Sequence, residues 1–182
     1  MDWRAQIDLV TKNFKDSFQS LSEDELNWKP DAKTWSVAQN IHHLIVINQT
    51  YYPIIKSVRD GNYQLPWIAR WKFMVNFFGN FILKSVTPDR RKKIKTFPKW
   101  EPSASGFTKE IIHEFELHQQ ELKSTIEASR HWADNGTIIS SPANKNIVYT
   151  LKCAFDIIVT HEFRHWEQAK EVNALRIKMN LK

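Results

Sequence analysis

His161 and His165 stand four residues apart in a stretch whose apolar residues recur at helical spacing. On an α-helix that separation leaves the two side chains about 40° apart around the axis and about 6 Å along it. Both imidazoles can then reach one divalent metal ion. The pair sits in the seam Ile147, Leu151, Ala154, Ile158, His161, His165, Gln168 and Val172, which alternates steps of four and three and marks a core-facing stripe. A histidine in such a stripe has to satisfy its ring nitrogens, because an unpaired buried polar group costs roughly 1–3 kcal/mol. A shared metal does that for both rings at once, and hydrogen bonds to core neighbours are the alternative. Gln168 shares the same face and can contact a water, a substrate or a ligand histidine.

A third ligand has to come from a facing helix. Val37, Ile41, Leu44, Asn48, Tyr51, Ile55 and Val58 form a second stripe of fours and threes, with adjacent histidines at its start. At about 100° per residue His43 falls at the edge of that stripe beside Ile47 and Ile54, while His42 points to the far side, where solvent is expected. His43 is therefore the better candidate. His118 lies in a further apolar stripe and is the spare ligand, although a core histidine bonded to a neighbour is the favoured reading there. His113 and His131 read as exposed.

The run His161-Glu162-Phe163-Arg164-His165 also spells the His-Glu-x-x-His signature of zinc peptidases, in which Glu162 would act as general base. Such an enzyme takes a third ligand well downstream. Only seventeen residues follow His165, and their acids, Glu167 and Glu171, continue the same helix. No upstream sheet offers an edge for an extended peptide. The peptidase reading therefore ranks last, and Glu162 is expected to be a solvated or salt-bridged acid on the helix flank. Cys153, about two turns before His161, is expected to be a small buried residue and not a nucleophile.

The elements that must carry these residues are helical. Trp3, Ile7, Val10, Phe14 and Leu21 predict an amphipathic helix over the first twenty residues. A second is expected to start near Thr34 to Ser36 and to run to Asp60-Gly61-Asn62. A third, with the stripe Phe107, Ile111, Phe115, His118, Leu122 and Ile126, is expected to be capped within Ser103 to Ser105. The fourth follows Asp134-Asn135-Gly136 and Pro142, and strand is expected only for a few residues near Thr137 to Ser140. The fold expected is all-α, a four-helix bundle in a single domain spanning residues 1–182. Residues 62–102 form an insertion between its second and third helices, with one short helix at about Trp67 to Lys84.

Net charge is +6 with a pI near 9.4, and the charge is concentrated. Nine Lys or Arg residues against Asp89 alone lie between Pro66 and Trp100, leaving the rest of the chain at about −2. That distribution excludes a general basic coat for nucleic acid. The insertion interleaves Trp67, Trp71, Phe73, Phe77, Phe78, Phe81 and Trp100 with Arg70, Lys72, Lys84 and the run Arg90-Arg91-Lys92-Lys93. A lid that packs its aromatics over the bundle is the favoured reading, and a surface for an anionic partner or membrane is the alternative. A lone cysteine and an N-terminus without an apolar leader predict a reducing cytoplasm. The stretch Trp67 to Val86 is too interrupted by polar residues to be a transmembrane segment.

Leu21-Ser22-Glu23-Asp24-Glu25-Leu26-Asn27-Trp28-Lys29-Pro30, followed by Lys33-Thr34-Trp35-Ser36-Val37-Ala38-Gln39-Asn40-Ile41-His42-His43-Leu44, resembles the lead-in and second helix of the DinB-like superfamily of metal-binding four-helix bundles. His161-Glu162-Phe163-Arg164-His165-Trp166-Glu167-Gln168 resembles that family's last-helix His-x-x-x-His-x-x-Gln pattern. The resemblance covers essentially the whole chain except residues 62–102. It implies a mononuclear site of His43, His161 and His165 with further positions open to water or substrate, and zinc or nickel as the ion. It further implies a metal-dependent hydrolase or a thiol S-transferase acting on a small molecule, including a low-molecular-weight thiol, and pairing into a homodimer. A non-catalytic metal-binding module, working through its basic aromatic insertion, is the alternative function.

Overall fold

The computed structural model describes residues 1–89, 100–102 and 106–180. The Arg90-Arg91-Lys92-Lys93 run and the cap expected within Ser103 to Ser105 lie outside the described residues. Helix α1 (Trp3–Phe18) starts where the Asp2 carboxylate accepts the Ala5 amide, and it turns Trp3, Ile7, Val10, Phe14 and Phe18 inward. The short α2 (Glu23–Asn27) and the longer α3 (Val37–Gln49) each open with a capping box, Ser22 with Glu25 and Ser36 with Gln39.

The helix expected to run unbroken to Asp60 is two. Helix α3 ends at Gln49 and α4 spans Tyr52–Arg59. The cause is Pro53, which has no amide to donate to a preceding turn and is tolerated only at the start of a helix. The last turn before it tightens, with Thr50 N–H on the Ile47 carbonyl and Tyr51 N–H on the Asn48 carbonyl. The apolar stripe crosses the break, so Tyr51, Ile55 and Val58 stay buried.

The insertion holds a 3₁₀ turn (Trp67–Arg70) and α5 (Lys72–Ser85), where one helix was expected. Then come α6 (Glu110–Glu127), the short α7 (Arg130–Asp134), strands β1 (Ile138–Ser141) and β2 (Asn144–Thr150), and α8 (Leu151–Asn180). The strands pair antiparallel, with a register irregularity at Ser140/Ser141. Ile147 therefore belongs to a strand, and the fourth bundle helix begins later than its seam suggested, at Leu151. The consecutive β-formers Ile147, Val148, Tyr149 and Thr150 favour the pleated conformation.

Helices α1 and α3 each pack against both α6 and α8, which makes these four the bundle, while α5 packs on β2 and α8. Two apolar clusters fill the interior. One gathers Ile7, Ile55, Leu122, Ile126, Phe155 and Ile158, and the other Val10, Phe14, Ile41, Leu44, Ile111 and Phe115. Between them along α3, α6 and α8 fall Asn48, His118, Gln119 and Glu162, so a polar layer crosses the bundle. The lid is only partly as expected. Trp100 is buried, and so are Ala69 and Val75, with Phe78 packed beside them, but Trp67, Trp71, Phe73, Phe77 and Phe81 face solvent.

Candidate metal centre

Helices α3 and α8 bring His43, His161 and His165 to one point, with a ring nitrogen of each within 4.8 Å of the others. His43 and His165 are buried, and His161 keeps a partly open edge. The hydrogen bonds on the far sides of the rings set their chemistry. His43 Nδ1–H donates to the Trp100 carbonyl at 2.6 Å, and His165 Nδ1–H donates to the Asn40 Oδ1 at 2.7 Å. In a neutral ring with Nδ1 protonated, Nε2 carries the lone pair. The Nε2 atoms of His165 and His161 lie 3.0 Å apart. Two imidazoles on a tetrahedral ion, at about 2.0–2.1 Å each, would stand about 3.3 Å apart, so the His161–His165 pair is spaced for a shared divalent cation, with His43 close enough to join it.

Burial also favours the ligand form. It pulls the His43 pKa down to about 4, against the upward pull of its bond to Trp100. The His161 pKa is driven well below its ordinary value, first by burial and then by the charges of His43 and Arg164. Neutral imidazole is the form that binds a metal. Trp35 roofs the cluster, its ring 4.8 Å from His43 and stacked on His165 at 5.8 Å. The histidines open onto a cavity of about 640 Å³ whose walls include Tyr51, Tyr149, Ile157, Arg164 and Gln168. Gln168 thus lies where the seam suggested, beside the candidate ligands.

The other histidines separate cleanly. His118 is buried away from the cluster, with Asn48 Nδ2 at 3.2 Å from its Nε2 and the Tyr52 hydroxyl at 3.4 Å from its Nδ1. It is a core histidine and not a fourth ligand of this group. His113 and His131 are exposed, as expected. His42 is half-buried instead of solvated, with its ring 5.0 Å from Phe107. Cys153 is half-buried with its thiol pushed up to about 11 by burial, which suits the packing role expected of it.

Glu162 overturns its expectation. It is completely buried, not on a solvated flank. Asn48 Nδ2 donates to its Oε1 at 2.8 Å and Gln119 Nε2 to its Oε2 at 2.9 Å. Burial raises its pKa to about 7 against the lowering effect of the two amides. With both oxygens engaged inside the polar layer, it is not placed as the general base of a zinc peptidase. In the sequence Asn48 and His118 do interrupt otherwise apolar stripes, but nothing there pairs either stripe with Glu162. Asn40, Trp35 and the Trp100 carbonyl are the site neighbours that spacing alone did not single out.

The family model of the DinB superfamily matches residues 6–169. The chain belongs to the DinB superfamily. The resemblance read from the two histidine motifs is thereby borne out, as is the bundle fold. Among curated proteins, a relative is the uncharacterized protein YuaE of Bacillus subtilis (strain 168), 26% identical over 156 residues that cover 85% of this chain and 86% of that protein. No solved structure matches the chain.

Proposed function

We propose that this DinB-superfamily chain is a metal-dependent enzyme that uses His43, His161 and His165 to hold one divalent ion, zinc or nickel, and activates water or a small thiol for attack on an electrophile. The observation that carries the reading is the convergence of three imidazoles, each with a ring nitrogen within 4.8 Å of the others, at the wall of a cavity. An ion bound there would lower the pKa of water or a thiol and supply a nucleophile near neutral pH.

The protein's own contribution is placement and exclusion. Trp100 and Asn40 fix the His43 and His165 tautomers, so both rings present Nε2 inward. Trp35, itself on the cavity wall, packs its ring against those of His43 and His165 and holds them in place. Gln168 offers an amide to a substrate or water in the cavity. Arg164 anchors the wall, donating to the Ser85 carbonyl at 3.4 Å, at the end of α5, and to the Thr87 carbonyl at 3.0 Å just past it. Hydrolysis follows if water is the nucleophile and S-transfer follows if a thiol is. His165→Ala should remove both bound metal and turnover in a screen of ester, amide and thiol-transfer substrates. Turnover that persists in that variant without metal would refute the assignment.

A further inference from the structure

Helix α5 faces two environments. Val75 and Gly79 are buried, and Ile82, Ser85 and Val86 border the cavity of the histidine cluster. On its outer side Phe73, Phe77 and Phe81, each one turn from the next, are 60%, 60% and 59% exposed. Trp67 and Trp71, just before the helix, are 68% and 51% exposed. The rings meet in pairs: Phe77 stacks on Phe81 at 6.3 Å, and Trp71 meets Phe73 edge-on at 5.6 Å. Five exposed aromatics along one short segment are more than the scattered apolar exposure normal on a soluble surface.

The charges beside these rings carry one sign. Arg70, Lys72 and Lys84 are all exposed, and the sequence holds no Asp or Glu between Asp60 and Asp89. An aromatic stripe flanked by cations, with tryptophans at one end, has the composition of a helix lying in a membrane interface. We propose that α5 and the turn before it are a docking surface for an anionic lipid bilayer. Phe73, Phe77, Phe81, Trp67 and Trp71 enter the boundary between headgroups and acyl chains, and Arg70, Lys72 and Lys84 meet the headgroups. Charge selects lipid over a second copy of the chain. Symmetric pairing through this face would set three cations against three more, with no acid on the segment to answer them. Docking is peripheral, since no helix among the described residues is long and apolar enough to cross a membrane. Because the inner face of α5 walls the cavity, docking would place that cavity, and the histidine cluster that opens onto it, on the lipid-facing half of the molecule.

Cosedimentation with vesicles tests this without reference to any activity. Wild-type protein is expected to pellet with equimolar phosphatidylcholine and phosphatidylglycerol, to leave pure phosphatidylcholine largely unbound, and to bind less as salt rises. Phe77→Ser/Phe81→Ser should lose about tenfold in partitioning for each ring removed. Lys72→Ala/Lys84→Ala should lose about fivefold for each charge. All four positions are exposed, so an unchanged circular dichroism spectrum certifies the fold of the variants. Absence of binding to the anionic vesicles, or equal binding by the aromatic variant, would overturn the proposal. So would a wild-type dimer, indifferent to vesicles, that Phe77→Ser/Phe81→Ser converts to monomer; the face would then belong to a second copy.

Discussion

Asn40 holds His165 in register through two committed bonds. Its Nδ2 donates to the Ser36 carbonyl at 2.9 Å, which leaves its Oδ1 facing the His165 ring. Partners of this kind fix the tautomer and the aim of a ligand. Asn40→Ala should weaken zinc affinity by about 10–100-fold with the fold intact, measured by competition against a chromophoric chelator; unchanged affinity would remove Asn40 from the site. Glu162 makes a sharper comparison. In Glu162→Ala the amides of Asn48 and Gln119 lose their buried acceptor and a cavity opens, a loss of about 2–4 kcal/mol. In Glu162→Gln the Gln119 amide can turn over and present its Oε1, which has no partner, to the new side-chain amide. That variant should stay within about 1 kcal/mol of wild type in urea unfolding. The ligand histidines were legible because their spacing is a local property of one helix. The burial of Glu162 was not, because its acceptors are satisfied from positions 114 and 43 residues away.

Among the elements, α5 is the one whose seat depends on the absence of a side chain. An added Cβ at Gly79 would lie 3.0 Å from the Cys153 sulfur and 3.4 Å from the Tyr149 Cβ, so α5 rests directly on β2 and the start of α8. Gly79→Val should overpack that contact and cost about 2 kcal/mol, seen as a lower thermal midpoint; a neutral outcome would mean that α5 can lift from the hairpin. The existence and faces of the bundle helices followed from periodicity, but their limits did not. Pro53 splits the second stripe without disturbing its phase, because Tyr51, Ile55 and Val58 still turn inward after the break. Ile147 matched the seam of α8 by spacing alone, although its β-forming neighbours and the pairing of β2 with β1 put it on a strand. The outward aromatics of α5 misled the lid expectation for a related reason. Composition gives their apolar character but not which side of the helix the hairpin occupies.

Across the whole molecule, the two apolar clusters stabilise the bundle ends and leave its middle for polar chemistry. The buried amide and carboxylate layer lies on one side of α8 and the histidine cluster faces the cavity from another, so structural and chemical polar groups are kept apart on the same helix. Charge is partitioned as well, with cations gathered on the insertion and a near-balanced bundle beneath it. The histidines that α3 and α8 bring together are proposed to hold one divalent ion. Elemental mass spectrometry on untagged protein, beside the His43→Ala/His161→Ala/His165→Ala variant, measures it directly. Near-stoichiometric zinc or nickel is expected in the native chain and none in the variant. A native protein free of metal that also refuses added zinc and nickel would contradict it.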